Sequence, residues 1–366
     1  MTRIVLVGGG HAHLSVLQAL SQRHLDDVFV TLITPDRYLS YSGMVPGWMA
    51  GHYLKEQCRI DLQPLILAAN VNMVIGRVVG INAERCCVAL TEGHHIEYDL
   101  LSLDTGSEID TSWLEMVGSK LLPIKPLEHF FNKWPTIMAD ALRNPDYRLV
   151  VVGGGAAGIE LTLAAAHAFK SAGIVSNVAL VTSSSGLAVQ GQKTRQRLLR
   201  QLIKAGVTLH QHKAVGSEDG LMLSDGSVLP ADCVLAATGA RAPYWLKLSH
   251  LDLDENGYVA VNQYHQSLSH PNVFAAGDVC SRQDVKLARS GVHAVHAGPV
   301  LAHNLIAMIK SKPLKPYRPR KKSLYILACG ARYAVATWGT WSLEGSWVWY
   351  CKNWIDRRFI RRFSKF

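Results

Sequence analysis

The sequence predicts an α/β protein with two similar units of parallel sheet and helix, followed by a basic C-terminal region. Two glycine-rich segments of one design lead to this prediction, because each follows an apolar strand and precedes a helix: residues 3–14 and residues 148–161. The composition agrees, since 48% of the 366 residues are hydrophobic and 18% are charged. A chain of this length can bury a core in each of two domains.

The second glycine segment, RLVVVGGGAAGIEL, carries its glycines in the spacing GxGxxG. Gly153 permits a tight turn, Gly155 lets the backbone approach a pyrophosphate, and Gly158 allows the helix to pack closely on the strand. The pyrophosphate would lie at the N-terminus of the helix, where free N–H groups and the helix dipole favour an anion. The segment therefore predicts a Rossmann-like dinucleotide-binding domain.

The first glycine segment, RIVLVGGGHAHL, repeats the design with Gly8 and Gly10 but has His13 at the position of the third glycine. In the usual pattern an acid that ends the second strand binds the ribose 2′-hydroxyl. Here that strand ends in Thr34-Pro35-Asp36, so either Thr34 or Asp36 binds the ribose or Asp36 only begins a turn. Two such segments in one chain predict two nucleotide cofactors.

The charge is unevenly distributed along the chain. From Lys310 onward the sequence has 14 Lys and Arg against two acidic residues, a net charge of +12. The residues before Lys310 sum to −2, which gives the net charge of +10 for the chain. This pattern indicates contact of the C-terminus with an anionic surface and argues against a nucleic-acid-binding body. Seven cysteines without a CxxC pair favour a reducing compartment and predict no metal site.

The sequence predicts neither a membrane-spanning segment nor a signal peptide. No uninterrupted apolar run reaches the roughly 18–20 residues that cross a bilayer, and a strand that leads directly into a glycine turn is not typical of a signal peptide. We therefore expect the protein in the cytoplasm or, as a peripheral protein, on the cytoplasmic side of a membrane.

Three further motifs carry a family resemblance: DTG at residues 104–106, ATG at 237–239 and VFAAGDV at 273–279. With the two glycine turns, they resemble the flavoproteins with two dinucleotide domains, which include type II NADH dehydrogenases, sulfide:quinone oxidoreductases and pyridine nucleotide-disulfide reductases. VLVGGGHAH, YSGMVPG and SLEGSWVWYCKNWIDRRF are similar to the NADH-dehydrogenase-like flavoproteins that are sometimes fused to selenide, water dikinase.

The resemblance implies FAD at the first turn and NADH or NADPH at the second. It implies a discontinuous FAD-binding domain (residues 1–110 and 244–310), an NAD(P)-binding domain (111–243) and a C-terminal membrane-association region (311–366). The residues expected around FAD are Gly8, Gly10, His11, Thr34, Asp36, Arg37, Gly43, Met44, Val78, Thr105, Gly106, Gly277, Asp278, Gly291 and Val292. Those at the nicotinamide nucleotide are Gly153, Gly155, Gly158, Thr182 and Gly239. Gly43 and Met44 belong to residues 38–51, which are rich in Gly, Met and aromatics and suit the flat face of a ring cofactor, unless they form a surface loop. His11 either packs in the protein or lies on the pyrophosphate side.

The second nucleotide site lacks the acid expected for NADH. Its second strand ends in the hydroxyl-rich residues 182–185, and the nearby Lys193, Arg195 and Arg197 could accept a 2′-phosphate. NADH, NADPH and a vestigial pocket therefore all stay open. Glu160 stands where type II NADH dehydrogenases carry an acid, so the resemblance implies that it positions the nicotinamide or relays a proton; alternatively it only favours the helix dipole.

The electron acceptor is expected near residues 285–304. This segment aligns with the quinone-site segment of type II dehydrogenases, with Arg289 and His293 in place of glutamines. His293 and His296 are three residues apart on a predicted helix and share a face. Their imidazoles could deliver protons to a quinone or another small acceptor, unless they are a packed or solvent-facing pair.

The C-terminal region is predicted to contain a Pro- and Lys/Arg-rich linker (residues 312–322), a β-hairpin (323–337) and an amphipathic helix (347–366). The helix would carry an apolar stripe formed by Ile355, Phe359, Phe363 and Phe366. With Trp347, Trp349 and Trp354 as an interfacial belt, this helix is typical of one lying on a membrane. Packing on the flavin domain, or on a second subunit of a homodimer, is the alternative.

The function predicted from these features is electron transfer from NAD(P)H through FAD to a quinone at a membrane surface. A sulfide:quinone-type reaction is disfavoured, because no cysteine lies between Cys87 and Cys233 and Cys329 would be left single. An FAD-binding redox sensor with little turnover stays open, because Thr34 and Thr182 stand where acids are expected.

Overall fold

The structure is a computed structural model that describes residues 1–23, 25–91, 93–175, 177–183, 185–320 and 322–365. Ser184 of the predicted hydroxyl corner and Phe366 of the predicted apolar stripe lie outside the described residues. The α-helices are α1 (His11–Ser21), α2 (Val45–Met49), α3 (Leu62–Ala68), α4 (Leu127–Arg143), α5 (Ala156–Ser171), α6 (Gln192–Lys204), α7 (Gly291–Ile309) and α8 (Ser346–Phe363).

The first sheet has five parallel strands with Thr2–Val7 at its centre. In spatial order the strands are Val273–Ala275, Leu100–Leu103, Thr2–Val7, Val28–Thr34 and Asn72–Ile75. Strand order reverses at the central strand, so the crevice at its carboxyl end is the expected ligand position in an open parallel sheet. The first glycine turn lies at that position.

The second sheet repeats this arrangement around Arg148–Val152. In spatial order its strands are Leu121–Pro123, Cys233–Ala236, Arg148–Val152, Asn177–Thr182 and Thr208–Gln211. The central strand is apolar and buried from Leu149 onward, as expected for a strand covered on both faces. The second glycine turn therefore also lies at a point where strand order reverses.

Smaller sheets complete the two units. Two three-stranded antiparallel sheets are formed by Val78–Asn82, Cys87–Leu90 and His95–Glu97, and by Ala214–Ser217, Gly220–Leu223 and Val228–Pro230. The two-stranded pairs are Tyr38–Ser40 with Arg59–Asp61, Glu108–Ile109 with Ala240–Arg241, and Val259–Val261 with Cys280–Arg282.

The C-terminal segment, which we define as residues 324–363, contains a three-stranded antiparallel sheet and α8. Its strands are Leu324–Ala328, Ala334–Trp338 and Trp341–Gly345. The sequence predicted a hairpin of two strands here, and the structure adds the third strand, Trp341–Gly345. This strand follows a two-residue turn with Gly339 at φ +59°. Positive φ is what a tight hairpin turn requires, and glycine adopts it readily.

The C-terminal segment packs into the body of the protein. Val348 and Trp349 of α8 are 1% and 5% exposed and share an apolar cluster with Met44 and with Ile159. Phe363, 1% exposed, joins the core of the first sheet. The prediction that Trp349 belongs to an interfacial belt was therefore wrong, and so was the placement of Phe363 in a membrane-facing stripe. An apolar stripe at helical spacing serves a protein core equally well.

One described helix, α7, is long and apolar enough to span a membrane by length and composition. Half of it is buried in the protein. Its residue Gly298 lies against Ser15 of α1, where a Cβ atom would come within 2.8 Å of the serine hydroxyl.

Candidate functional site

The second glycine turn has the local geometry that its spacing predicts. Gly153 has φ +135°, and a Cβ atom on it would come within 2.1 Å of the Ala237 carbonyl oxygen. A Cβ on Gly158 would lie 1.9 Å from the Gly153 oxygen, so helix and strand are in close contact. Gly155 faces open space, and no side chain caps α5. The first-turn N–H groups of α5 can therefore receive an anion.

The first glycine turn is built differently, around the buried carboxyl group of Asp104. Asp104 Oδ2 accepts hydrogen bonds from the backbone N–H groups of Ala12 (2.7 Å) and His13 (2.9 Å), and so caps α1. A Cβ atom on Gly8 or Gly10 would approach the Asp104 carbonyl oxygen to 2.4 Å. These glycines therefore make room for Asp104. In the sequence Asp104 is recognisable only as part of the DTG motif, and its role as a cap was not predicted.

His13 explains why the first turn lacks a third glycine. Its ring is fully buried, with Nδ1 2.6 Å from the Gly8 carbonyl oxygen and Nε2 2.8 Å from Ser102 Oγ. Because a carbonyl only accepts, Nδ1 carries the proton and Nε2 accepts from the Ser102 hydroxyl. Burial lowers the pKa of His13 to about 4, so the ring is neutral near pH 7. The two hydrogen bonds of the imidazole thus hold the turn in place at the position where the usual pattern has a glycine.

Two acidic residues from distant motifs meet beside this turn. Burial, with a smaller contribution from the nearby Asp278, raises the pKa of Asp104 to about 8, against the lowering effect of the two N–H groups. Gly277, at φ +73°, lies so close that a Cβ atom would be 2.8 Å from Asp104 Oδ1. A neutral Asp104 at pH 7 would not repel a phosphate bound at the same turn.

Replacing Asp104 should destabilise the protein through the lost cap. We expect Asp104→Ala to lower the free energy of unfolding by about 1–2 kcal/mol, because two buried N–H groups lose their acceptor. Asp104→Asn should retain most of the stability, since an amide oxygen can accept the same bonds. Thermal unfolding of both variants is the measurement, and equal melting temperatures for wild type and Asp104→Ala would contradict the cap.

At the predicted adenosine side, local contacts already use several of the polar groups. Thr34 Oγ1 donates to the Asp36 carbonyl oxygen at 3.0 Å, and Asp36 Oδ1 accepts the Tyr38 N–H at 2.8 Å. Arg37 pairs with Asp61 through two hydrogen bonds, of 2.7 and 2.5 Å. Asp36 does form a turn, and ribose binding by these residues stays a prediction.

Other predicted FAD contacts occupy varied surroundings. Thr105 is exposed, and Gly106, at φ +72°, faces open space. Val78 pairs with Leu90 in the first small antiparallel sheet. Met44 is 1% exposed and lies in the core, so it can support a cofactor site mainly through packing.

His11, the first residue of α1, packs in an aromatic group with Tyr41 and Phe359. Its ring centroid lies 5.6 Å from Tyr41 and 5.5 Å from Phe359, and the last two rings stack at 4.8 Å. Its Nε2 atom is buried without a hydrogen-bond partner among the described residues. Burial lowers the pKa of His11 to about 4.

Glu160 lies in the first turns of α5, where its Oε1 accepts the Ala328 N–H of the C-terminal segment at 2.8 Å. Burial raises the pKa of Glu160 to about 7, and the ammonium group of Lys352 opposes that rise. A carboxyl group that titrates near neutral pH can both donate and accept a proton under working conditions.

Lys352 and Asp356 of α8 form a buried ion pair beside Glu160. Lys352 Nζ donates to Asp356 Oδ2 at 2.7 Å and to the Gly43 carbonyl oxygen at 2.6 Å. Asp356 Oδ1 also accepts from the Tyr41 hydroxyl at 3.1 Å. Sequence reasoning missed both residues, because it assigned α8 to the membrane surface. The only signal was an acid four residues after a lysine within an apolar stripe.

The N-terminus of α7 is open, whereas the side chain of Arg289, just before it, is engaged. A Cβ atom on Gly291 would meet nothing, Val292 is half-buried, and Ser290 Oγ is buried without a partner among the described residues. Arg289 lies 3.5 Å from the centre of the Tyr258 ring and 3.7 Å from Asp254.

The structure brings together the two histidines predicted on α7. Burial lowers the pKa of both His293 and His296. The second cause is His296 for His293 and Arg320 for His296. Asp278 acts in the opposite direction on His293, which places that ring near the VFAAGDV motif.

At the nucleotide corner, Thr182 is 2% exposed and its hydroxyl donates to the Ser183 carbonyl oxygen at 3.2 Å. Arg197 instead pairs with Glu344 of the C-terminal segment at 3.5 Å. A role for Arg197 as a ligand of a 2′-phosphate stays a prediction. Gly239 is exposed and faces open space.

Metal and thiol chemistry find little support among these groups. Within the described residues no group of three or more His, Cys, Asp or Glu could hold a metal ion. All seven cysteines are free, and Cys329, 8% exposed, has a pKa that burial raises to about 12. A thiol of that kind is a poor nucleophile near pH 7.

Two parallel sheets, each with a glycine turn where strand order reverses, define a protein of the class with two Rossmann-like dinucleotide-binding folds. A family model described as pyridine nucleotide-disulphide oxidoreductase matches residues 2–303, and the chain belongs to that family. The predicted fold class, the predicted enzyme class and the prediction of FAD with a pyridine nucleotide are those of this family and are confirmed.

Individual relatives agree with this assignment. Ferroptosis suppressor protein 1 of Xenopus tropicalis is 29% identical over 272 residues, which cover 70% of this chain and 68% of the relative. This chain covers 65% of the length of a second curated relative and 53% of the length of a third. NDH2 of Plasmodium falciparum in complex with NADH superposes with a TM-score of 0.83 at 14% identity (99% and 97% of the two chains). The sulfide:quinone oxidoreductase of Aquifex aeolicus gives 0.81 at 18% identity (100% and 92%).

Proposed function

We propose that the protein passes electrons from NADH or NADPH through FAD to a quinone or another small acceptor. The observation that carries this proposal is the carboxyl group of Glu160, which follows the second glycine turn and has a pKa near 7. A nicotinamide at that turn would lie beside this group, which would position it or exchange a proton with the site. FAD, when bound, supplies the hydride and electron chemistry.

The residues of the first unit fit FAD. Gly106 and Gly291 present backbone to open space, where a planar or phosphate group can approach closely. His11 Nε2 and Ser290 Oγ are polar atoms that lack partners among the described residues. We propose that the first turn and Asp278 hold the diphosphate and ribityl portion, and that Gly43 and the N-terminus of α7 border the ring.

The predicted domain division is part of this proposal: residues 1–110 and 244–310 for FAD, and 111–243 for the pyridine nucleotide. The pairing of Val273–Ala275 with Leu100–Leu103 supports it, because the late strand completes the first sheet. The second turn would hold the nucleotide through Gly153, Gly155 and Gly158. The hydroxyl corner at Thr182 leaves the choice between NADH and NADPH to experiment.

The acceptor is proposed as a quinone, because one structural neighbour is a sulfide:quinone oxidoreductase by name. The names of an NDH2 in complex with NADH and of a probable NADH dehydrogenase support a pyridine nucleotide as the donor. His293 would supply protons at the acceptor side. Asp278 and His296 are the groups that act on its imidazole.

An anaerobic reduction experiment tests this function. The FAD-loaded protein is mixed in a stopped-flow instrument with NADH, NADPH or sulfide, and the flavin absorbance is followed; a soluble quinone is then added. Bleaching by a pyridine nucleotide and reoxidation by the quinone are expected. Bleaching by sulfide alone, or flavin that no pyridine nucleotide reduces, would contradict the proposal, and the latter result would favour a redox sensor.

We further propose that the exposed face of the C-terminal segment lies on the cytoplasmic surface of a membrane. Trp338, Trp341, Trp347 and Trp354 are 58%, 71%, 60% and 56% exposed. A groove of about 710 Å³ along α8 is lined by Trp354, Ile355, Arg358, Phe359, Arg361, Arg362 and Lys365. Aromatic and basic side chains on one face suit an anionic lipid interface. Seven free thiols suit a reducing compartment.

Charge reversal on this face should release the protein from anionic vesicles. We expect Arg358→Glu with Arg361→Glu to weaken binding to phosphatidylglycerol vesicles by at least about thirtyfold, since each basic residue near the surface contributes on the order of 1 kcal/mol. Vesicle sedimentation measures the effect.

The matched control reverses two exposed lysines elsewhere, Lys204→Glu with Lys213→Glu, and should bind like wild type. Substitutions are preferable to deletion of the helix, because deletion would also remove Val348, Trp349 and Phe363 from the core. Undiminished binding of the Arg358/Arg361 variant would exclude this face as the contact surface.

A further inference from the structure

A second cavity, of about 540 Å³, lies beside α7 and is distinct from the groove along α8. It is lined by His296, Val300, Lys315, Pro316, Tyr317, Arg318 and Arg320. Lys315, Arg318 and Arg320 are basic and exposed, and Val300, Pro316 and Tyr317 are apolar or aromatic. Its volume is within the usual range for small-molecule pockets.

The cationic residues stand on a fixed support, although their segment was predicted as a linker. Asn304, fully buried on α7, donates to the Lys315 carbonyl oxygen at 3.0 Å and accepts the Lys315 N–H at 2.8 Å. The Tyr317 N–H donates to Gln263 at 2.8 Å, and its carbonyl oxygen accepts from Arg282 at 3.2 Å. Because the backbone is already ordered, a ligand would not have to order it on binding.

The cations of this cavity lack acidic partners. Among the residues that the structure describes, no carboxylate forms an ion pair with Lys315, Arg318 or Arg320. The nearby Asp284 is held by two hydrogen bonds of 2.7 Å from Arg282. A concave surface lined by one sign of charge concentrates counter-ions of the other sign. The pKa of His296 is lowered by burial and by Arg320, which agrees with an uncompensated positive field.

We propose that this cavity binds a ligand that joins a phosphate group to an apolar portion. The guanidinium groups of Arg318 and Arg320 would bind phosphate oxygens, because a planar guanidinium can donate two parallel hydrogen bonds to a phosphate. Lys315 would add a point charge. Val300, Pro316 and Tyr317 would contact the apolar portion. The ligand is either a soluble phosphomonoester or the headgroup of an anionic phospholipid such as phosphatidic acid. This site does not depend on the proposed electron transfer.

The test uses the FAD-loaded full chain, so that cofactor phosphates are already in place. Phenyl phosphate is titrated by calorimetry, and vesicles of phosphatidylcholine, alone or with phosphatidic acid or phosphatidylglycerol, are used in sedimentation. The variant is Arg318→Glu with Arg320→Glu. The matched control, Lys310→Glu with Lys312→Glu, makes the same charge change on exposed residues of the same segment outside the cavity.

Saturable binding of phenyl phosphate that weakens by about tenfold or more in the cavity variant, but not in the control, supports a soluble ligand. Weaker binding to phosphatidic acid vesicles, with unchanged binding to phosphatidylglycerol vesicles, in the cavity variant alone supports a lipid headgroup, because the face along α8 would bind both lipids. Selective ¹³C labelling of histidine gives an independent readout, since a bound anion should raise the pKa of His296. If the cavity variant and the control behave alike with both probes, the proposal is overturned.

Discussion

Glu160→Gln should slow flavin reduction by the pyridine nucleotide about a hundredfold, because it removes a carboxyl group that can position the nicotinamide and exchange a proton. The wild-type rate should also change with pH around 7, the pKa to which burial raises Glu160. The amide does not titrate, so that inflection should be absent in the variant. Stopped-flow reduction across a pH series measures both effects.

The stability of the protein should show the same titration. The pKa of Glu160 in the fold is above its unfolded value of about 4.5, so the contribution of the protonated form is present at low pH and is lost as the pH rises through about 7. Glu160→Gln should flatten this part of the pH dependence. Glu115→Gln, an exposed carboxyl replaced in the same way, is the control. An unchanged rate and an unchanged inflection in Glu160→Gln would remove Glu160 from the proposed site.

Lys352→Met should destabilise the protein by about 3–5 kcal/mol, the usual cost of leaving one member of a buried ion pair without its partner. Asp356, 4% exposed, would keep only its bond from the Tyr41 hydroxyl, and the Gly43 carbonyl oxygen would lose a donor. The retention of FAD should fall as well, since Tyr41 and Gly43 belong to the loop proposed beside the ring. Urea unfolding and flavin fluorescence measure the two effects.

A double variant separates loss of charge balance from loss of packing. Lys352→Met with Asp356→Leu should recover most of the stability, because the unpaired charge is then gone. Lys365→Met on the exposed part of the chain after α8 should be nearly neutral. A double variant no more stable than Lys352→Met would show that the buried pair acts through its shape and not through its charge.

The sequence predicts the two parallel sheets because their signals are local. Each central strand, its glycine turn and the following helix lie within about fourteen residues, and Gly153, Gly155 and Gly158 have geometric roles that their spacing expresses. The sequence shows that His13 stands at the position of the third glycine, but it does not show why a histidine is tolerated there. The imidazole replaces a glycine only because Ser102, 89 residues away, completes its hydrogen bonds.

The contacts that complete the site come from pairs of residues far apart in the chain. Lys352 and Gly43 are 309 residues apart, and Tyr41 and Asp356 are 315 apart. No periodicity records such a pairing. The pattern of α8 is amphipathic in either environment, and the composition of the region favoured lipid. In the structure one face of α8, with Lys352, is buried in the protein, and another face, with Trp354, is exposed.

The dependence of the first sheet on Val273–Ala275, and of its core on Phe363, has a consequence during biosynthesis. The ribosome makes the first glycine turn well before the flanking strand Val273–Ala275 and the helix that carries Phe363. Contacts between such distant segments form slowly, because a long loop must close before they stabilise anything. The nascent first unit should therefore expose apolar surface until Phe363 has left the ribosome, and a chaperone that shields it should raise the yield of folded protein.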